Sequence, residues 1–272
     1  MEDATEAAPN GRILLQRQDN VVVMTLNDPS VLNAFGFKLR QDISWALDLV
    51  ETSGARCLMI TGAGRAFCSG ANLNDPDRPP RDRAAEARGE VKSDLESWYN
   101  PTFIRLRDLA MPIVTAINGI AAGAGMSLAL MGDIRIAANS ATFLQAFARI
   151  GLVPDCGSSF VLPRMIGMAR AMELSLLAER LPAETALAWG MINRVVDDPD
   201  LPGAAMEMAQ RLAEGPASLA LIRKLYWAGL DNSYEQQLDL EAKLQMQAGL
   251  TEDYTEGVTA FREKRRTRFT GG

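Results

Sequence analysis

Histidine is absent from all 272 residues of this chain. That excludes a Ser-His-Asp triad, a Cys-His nucleophile pair and a histidine-ligated zinc. Any general acid or base must be a carboxylate, lysine, tyrosine, cysteine or water. Cysteine is scarce too: Cys57, Cys68 and Cys156 are odd in number and lack metal-ligand spacing. This predicts free thiols, no metal site and a reducing, cytoplasmic setting. A net charge of −6 leaves no excess of cations to cover nucleic acid or an anionic membrane surface, so neither is expected as a partner. Long apolar runs are also missing. The uncharged stretch between Met111 and Gly132 is interrupted by proline, asparagine, serine and repeated glycine, too weakly hydrophobic to span a bilayer. No signal or targeting sequence is evident at the N-terminus, and the acidic opening, residues 1–11, is expected to be disordered.

What remains has an ordinary globular composition and enough chain for one large core with an appendage. Arg12–Gln18 and Val21–Leu26 alternate and meet at Asp19-Asn20, predicting a hairpin. An amphipathic helix follows from Gly36 to Glu51, then a buried strand over Cys57–Ile60. Asp75–Glu90, rich in Pro, Arg, Asp and Ala, reads as a solvated loop, either a lid or plain surface. Val91–Leu109 has a helical pattern; Ile134–Ala138 and Thr142–Ala146 read as strands. Strand-turn-helix units thus recur at Cys57–Leu73, Ile113–Met131 and Thr142–Met165, favouring an α/β fold with largely parallel strands. Residues 12–200 form the expected core and 201–272 a helical appendage.

The core is organised around Pro112–Asp133. Ile113–Ile117 is a β-branched run, glycines at 119, 123 and 125 break it, and Met126–Met131 resumes as a small apolar helix. A glycine turn at a helix start leaves backbone N–H groups free, which suits an oxyanion. A dinucleotide fingerprint is not met, since Leu128 stands where GxGxxG needs its last glycine. A purely structural buried turn remains an alternative. A second glycine-bracketed turn, Gly70-Ala71-Asn72-Leu73, also follows a buried strand. Two such donors converging on one carbonyl make an oxyanion hole, in which removing one donor costs about 3–4 kcal/mol.

With Asn33-Ala34, GRAFCSGANL (Gly64–Leu73), AINGIAAGAGMSLALMGDIRIA (Ala116–Ala137), GLVPDCGSSFVLPRMIG (Gly151–Gly167), AWGMINRVV (Ala188–Val196) and EGVTAFREKR (Glu256–Arg265), the sequence resembles the crotonase, or enoyl-CoA hydratase/isomerase, superfamily. The resemblance runs from Arg12 to Thr270. It implies a spiral of ββα units with a C-terminal helical trimerisation region, assembled as a homotrimer or a dimer of trimers. It implies an acyl-CoA thioester as substrate, with coenzyme A arriving as part of it and no separate cofactor. Carried over by position, the donors are the N–H groups of Ala71 and Ala124, set by Gly70 and Gly123. Arg65, Ala66 and Leu73 fall where CoA is held. Phe261 and Lys264 match tail positions that close over CoA from a neighbouring subunit.

The departures are informative. Hydratases of this family place glutamates where this chain has Ser127 and Phe147, so hydration by a glutamate pair is not expected. Phe147 remains a candidate for touching the acyl group, and Ser127 either touches it or only fills a helix face. The carboxylate left in a family catalytic position is Asp155, as in the ring-epoxide acyl-CoA isomerase branch, which the stretch resembles most. Asp155 precedes Cys-Gly-Ser-Ser and reads equally as a helix cap. As a base, enclosed by Phe147, Leu152 and Val153, it is expected to have a raised pKa. The expected activity is acyl-CoA isomerisation through a thioester enolate, with Asp155 as proton shuttle. The alternatives are an enoyl-CoA hydratase and a non-catalytic CoA-binding protein of the same fold.

Overall fold

Alternation of apolar residues builds the first sheet in the computed structural model, which describes residues 5–272. Strands β1 (Thr5–Ala7), β2 (Ile13–Gln18) and β3 (Val21–Leu26) form an antiparallel meander. The turn between β2 and β3 falls at Asp19-Asn20, with Gln18 opposite Val21, as the sequence predicts. β1 corrects one expectation. Residues 1–4 lie outside the described residues, but Thr5–Ala7 pairs with Leu14–Gln16 and Ala8 is buried, so 5–11 is not disordered.

Helix α1 (Phe37–Thr52) buries Leu39, Ile43, Ala46, Leu47 and Val50, spaced for one face. β4 (Cys57–Gly62) and β5 (Ala66–Cys68) follow. The segment expected as a loop contains a short helix, α2 (Arg83–Ala87), capped by the Asp82 side chain. It is tied to α1 by Lys38–Asp77 at 2.9 Å and, through Asp94, by an Arg78–Asp94–Arg40 chain at 2.6 and 3.3 Å. The helix expected over Val91–Leu109 is a π-helical turn at Leu95–Tyr99 running into α3 (Asn100–Asp108).

Next come β6 (Ile113–Ile117), β7 (Ile120–Ala122) and α4 (Ala124–Leu130). β8 (Ile134–Ala138), β9 (Thr142–Leu144), a 3-10 turn at Ala146–Ile150, α5 (Ser158–Ile166) and α6 (Met168–Leu177) form another unit. β10 (Leu181–Pro182), α7 (Ala183–Ala188), β11 (Arg194–Val196) and α8 (Leu201–Ala213) close the spiral. Successive turns place one strand in each of two sheets, ordered β1-β2-β3-β4-β6-β8-β11 and β10-β9-β7-β5. From β3 onward the first sheet is parallel, and β5, β7 and β9 are parallel in the second. Ile60, Phe67, Ile113 and Phe143 are wholly buried in the core.

Helices run from Leu201 onward, and the first of them belongs to the core. Ala205, Ala209 and Ala213, four apart, give α8 a smooth buried stripe against β4 and β6. Beyond it, α9 (Ser218–Gly229), α10 (Tyr234–Gly249) and α11 (Glu252–Glu263) form the appendage. Buried Arg223 anchors α9, donating to Asp133 Oδ2 at 2.7 Å and to the carbonyls of Leu106 and Leu109 at 2.8 and 3.1 Å. Among the described residues no helix is long and apolar enough to cross a membrane.

Candidate active site

The first donor turn follows β5, but no helix opens there, contrary to the strand-turn-helix reading of Cys57–Leu73. The N–H of Ala71 is freed by another route. Phe35 and Ala71 form an isolated parallel bridge, in which Phe35 N–H donates to Gly70 C=O at 2.7 Å and Asn72 N–H donates to Phe35 C=O at 3.2 Å. Phe35 thereby bonds the residues on either side of Ala71, and Ala71's own N–H points away from the bridge. Gly70 sits at φ +91, where a Cβ would lie 2.7 Å from Ala122 C=O, so the position requires glycine. Asn33, fully buried at φ +54, holds the turn from below. Its Nδ2 donates to the carbonyls of Ala66 and Phe67 at 2.8 and 3.2 Å, while its Oδ1 accepts from Asp28 N–H at 2.8 Å.

The second donor lies at the start of α4. Gly123, at φ +51, donates its own N–H to Leu144 C=O at 2.8 Å. Ala124 is then the first helical residue, whose N–H has no acceptor within the helix. A Cβ on Gly125 would collide with Cys68 C=O, so its lack of a side chain lets α4 close onto β5. The two turns touch: a Cβ built on Gly70 would lie 3.6 Å from Ala124 N.

Asp155 occupies the loop before α5, and the capping alternative is not realised. The N-cap of α5 is Gly157, with no side-chain cap. What the helix start uses is the Asp155 carbonyl, which accepts from Ser158 N–H at 3.0 Å and Ser158 Oγ at 2.9 Å. The carboxylate is left over, with Oδ1 buried and without a hydrogen-bond partner among the described residues. Burial raises its pKa above the ordinary carboxylate range, and a hydrogen bond from the Cys156 thiol offsets part of the rise. The direction matches expectation, but the enclosure differs. Phe147 is buried beside the site and Leu152, though 57% exposed, lines the same cavity, whereas Val153 is 78% exposed and off its wall.

A cavity of about 940 Å³ unites Gly70, Ala71, Leu73, Gly123, Ala124, Phe147 and Asp155. Four other carboxylates line it, each already engaged. Asp75 accepts from Phe37 N–H, Asp94 pairs with Arg40 and Arg78, Glu86 with Arg81, and Glu96 accepts from Ser93. Among these five carboxylates, Asp155 alone has neither a cation nor a main-chain or hydroxyl donor, its one contact being the weak Cys156 thiol.

Other expected site residues lie elsewhere. Arg65 is exposed and Ala66 is buried beneath Asn33 and Asn118; neither lines the cavity. Ser127 is buried and off the cavity wall, and its hydroxyl bonds the carbonyls of Gly123 and Asp155, so of its two readings the contact with the acyl group is the one the geometry does not provide. Phe261 lines a separate apolar cavity of about 930 Å³ between α9, α10 and α11, and Lys264 ends α11 at φ +55. Within one chain, neither belongs to the Asp155 cavity. Phe35, Arg40 and Tyr99 also stand on the wall. Phe35 follows no local motif, because the bridge that presents it pairs it with Ala71, far along the chain.

A family model described as enoyl-CoA hydratase/isomerase matches residues 16–272. The chain is 45% identical over 261 residues to the 1,2-epoxyphenylacetyl-CoA isomerase of Escherichia coli strain K12, covering 95% of this chain and 98% of that one. It is 43% identical over 254 residues to a Rhodobacter capsulatus protein named "Probable enoyl-CoA hydratase", covering 93% and 95% respectively. A solved enoyl-CoA hydratase from Bacillus anthracis superposes with a TM-score of 0.86 at 29% identity, covering 96% of this chain and all of that one. The spiral of ββα turns, the two glycine-set donor turns and the match along nearly the whole chain agree, and the protein belongs to the enoyl-CoA hydratase/isomerase family.

Proposed function

We propose that the protein is an acyl-CoA isomerase that moves a double bond, or rearranges a ring, through a thioester enolate. One observation carries this reading: a partly buried carboxylate with no cation on it, and with Oδ1 free of any partner, shares a cavity with two unspent backbone donors, while the other carboxylates there are engaged. The thioester oxygen accepts from the N–H groups of Ala71 and Ala124, which form the oxyanion hole. Asp155, ionised, takes a proton from C2 of a β,γ-enoyl thioester. The negative charge spreads over the dienolate and is stabilised at the thioester oxygen. Asp155-H then returns the proton to C4, giving the conjugated α,β-enoyl thioester. One proton is removed and one returned, so no oxidant, reductant or water is consumed.

Hydration would need a second group to hold and deliver water. At the two positions where hydratases of the family carry glutamate, this chain has Phe147, which is apolar, and Ser127, whose hydroxyl is occupied by main-chain carbonyls. The hydratase reading is kept because a 43% identical relative bears that name. CoA is expected at the cavity mouth, where Arg83 and Arg149 have no ion-pair partner among the described residues and suit an anionic ligand. Homotrimerisation, or a dimer of trimers, is part of the proposal. It is supported by exposed Met246, Leu250, Tyr254 and Phe261 on α10 and α11 and by exposed Leu152, Val153 and Leu176 near α5 and α6.

The test offers 3-hexenoyl-CoA and crotonyl-CoA to wild type and Asp155→Asn while following the absorbance of the conjugated enoyl thioester. The proposal expects absorbance to rise with the first substrate, to be lost in the variant, and to stay constant with the second. Loss of absorbance with crotonyl-CoA alone would establish the hydratase. Binding of CoA esters without turnover of any acyl group would establish a non-catalytic protein.

A further inference from the structure

Tyr99 is the last residue of the π-helical turn Leu95–Tyr99, a rare local geometry that recurs at functional sites. Its ring is fixed on three sides. Trp98 packs edge-on at 4.7 Å between centroids, Phe35 edge-on at 5.9 Å, and the Arg40 guanidinium lies 5.7 Å from the ring centre. Those neighbours are themselves held. Trp98 Nε1 donates to Arg40 C=O at 3.0 Å and lies 3.1 Å from Ser44 Oγ, and Arg40 pairs with Asp94. Tyr99 is only 7% exposed, and it lines the cavity that holds Ala71, Ala124 and Asp155.

The hydroxyl meets no hydrogen-bond partner among the described residues, and the ring that bears it is held by these contacts on the cavity wall. Burial pushes the phenol above the ordinary tyrosine range, with the Arg40 charge opposing and the Asp155 and Cys156 side chains adding to the rise. The group is therefore a neutral O–H donor at working pH and not a base.

We infer that the Tyr99 hydroxyl is a specificity-determining donor that hydrogen-bonds an oxygen on the acyl group, beyond the thioester carbonyl. The ligand class is then an acyl-CoA whose acyl part carries a hydroxyl, ether or keto oxygen, selected over the plain hydrocarbon analogue. The inference rests on the acyl-CoA reading of the cavity. A rigid donor favours the acceptor-bearing ligand because the hydrocarbon analogue displaces water from the hydroxyl without replacing its hydrogen bond.

The test is calorimetric and needs no turnover. Wild type and Tyr99→Phe are titrated with hexanoyl-CoA and with its 4-, 5- and 6-hydroxy derivatives. At least one hydroxy ester is expected to bind wild type about five- to tenfold more tightly than hexanoyl-CoA, and the ratio is expected to fall to about one in Tyr99→Phe. A ratio of about one for all three hydroxy esters in wild type overturns the inference. So does a preference that survives in Tyr99→Phe, since the donor would then be another group. Failure of every CoA ester to bind overturns the acyl-CoA reading together with it, and loss of isomerisation alone leaves the binding result standing.

Discussion

Ser127 and Asp155 are joined through the main chain: Ser127 Oγ lies 3.2 Å from the Asp155 carbonyl and 3.4 Å from the Gly123 carbonyl. One buried hydroxyl thus bridges the turn that sets the second N–H donor and the loop that carries the carboxylate. Ser127→Ala removes the bridge without touching substrate. The expected result is a fall in kcat of about tenfold with KM little changed, since a small displacement of a catalytic group costs rate before affinity. The lost hydrogen bond also lowers Tm by about 2–4 °C. Steady-state kinetics and differential scanning fluorimetry read both.

Asp155 carries a burial penalty. Its folded-state pKa lies above the ordinary 3.8, so the native state holds the proton more tightly than the unfolded chain does. Its contribution to stability is present below 3.8 and is lost as pH rises through the folded value, leaving the ionised, active form under-solvated. Asp155→Asn is therefore expected to reduce kcat by about 10²–10⁴-fold yet to melt at a higher temperature than wild type at pH 8. That difference disappears on acidification toward the ordinary carboxylate value. In wild type, kcat rises with pH through an apparent pKa above that of a free carboxylate. A variant that melts lower than wild type at pH 8 would contradict the burial penalty.

The parts of this site that depend on local chain chemistry are legible in the sequence. Gly70 and Gly123 announce their turns because each needs a positive φ, and Asp155 stands out because no histidine competes with it. What depends on distant chain is not legible. The Ala71 N–H is freed by a bridge to Phe35, far away in sequence, and not by a helix start. Leu152 and Val153 both neighbour Asp155 along the chain, yet only Leu152 lines the cavity, and Val153 is left 78% exposed. Ser127 stands at a family catalytic position, yet its hydroxyl faces main-chain carbonyls supplied by two other turns. The strand at Thr5–Ala7 exists because β2 offers it an open edge, which the composition of residues 1–11 does not reveal.

The exposed apolar side chains of the C-terminal helices call for a partner surface. Leu250 and Phe261 are 84% and 85% exposed in one chain. Size-exclusion chromatography with light scattering is expected to give three or six chain masses for wild type. Leu250→Asp combined with Phe261→Asp is expected to shift the distribution toward the single chain, because a carboxylate buried in an interface core is costly unless paired. An unchanged assembly would mean that these side chains serve another surface.

The second donor offers a clean excision. Ala124 is the first residue of α4, the helical position that tolerates proline, because the N–H proline lacks is one the helix does not use. Gly123 precedes it at φ +51 and ψ −127, the mirror image of the extended conformation that a residue before proline prefers, which glycine adopts freely. Ala124→Pro should therefore fold with nearly the wild-type Tm while deleting one hydrogen bond to the developing oxyanion. The expected loss is about 10²–10³-fold or more in kcat/KM, because the hydrogen bond to the charge developing on the thioester oxygen is lost and the ring Cδ fills the place of its hydrogen. A variant that retains kcat/KM would show that the Ala124 N–H does not face the reacting carbonyl.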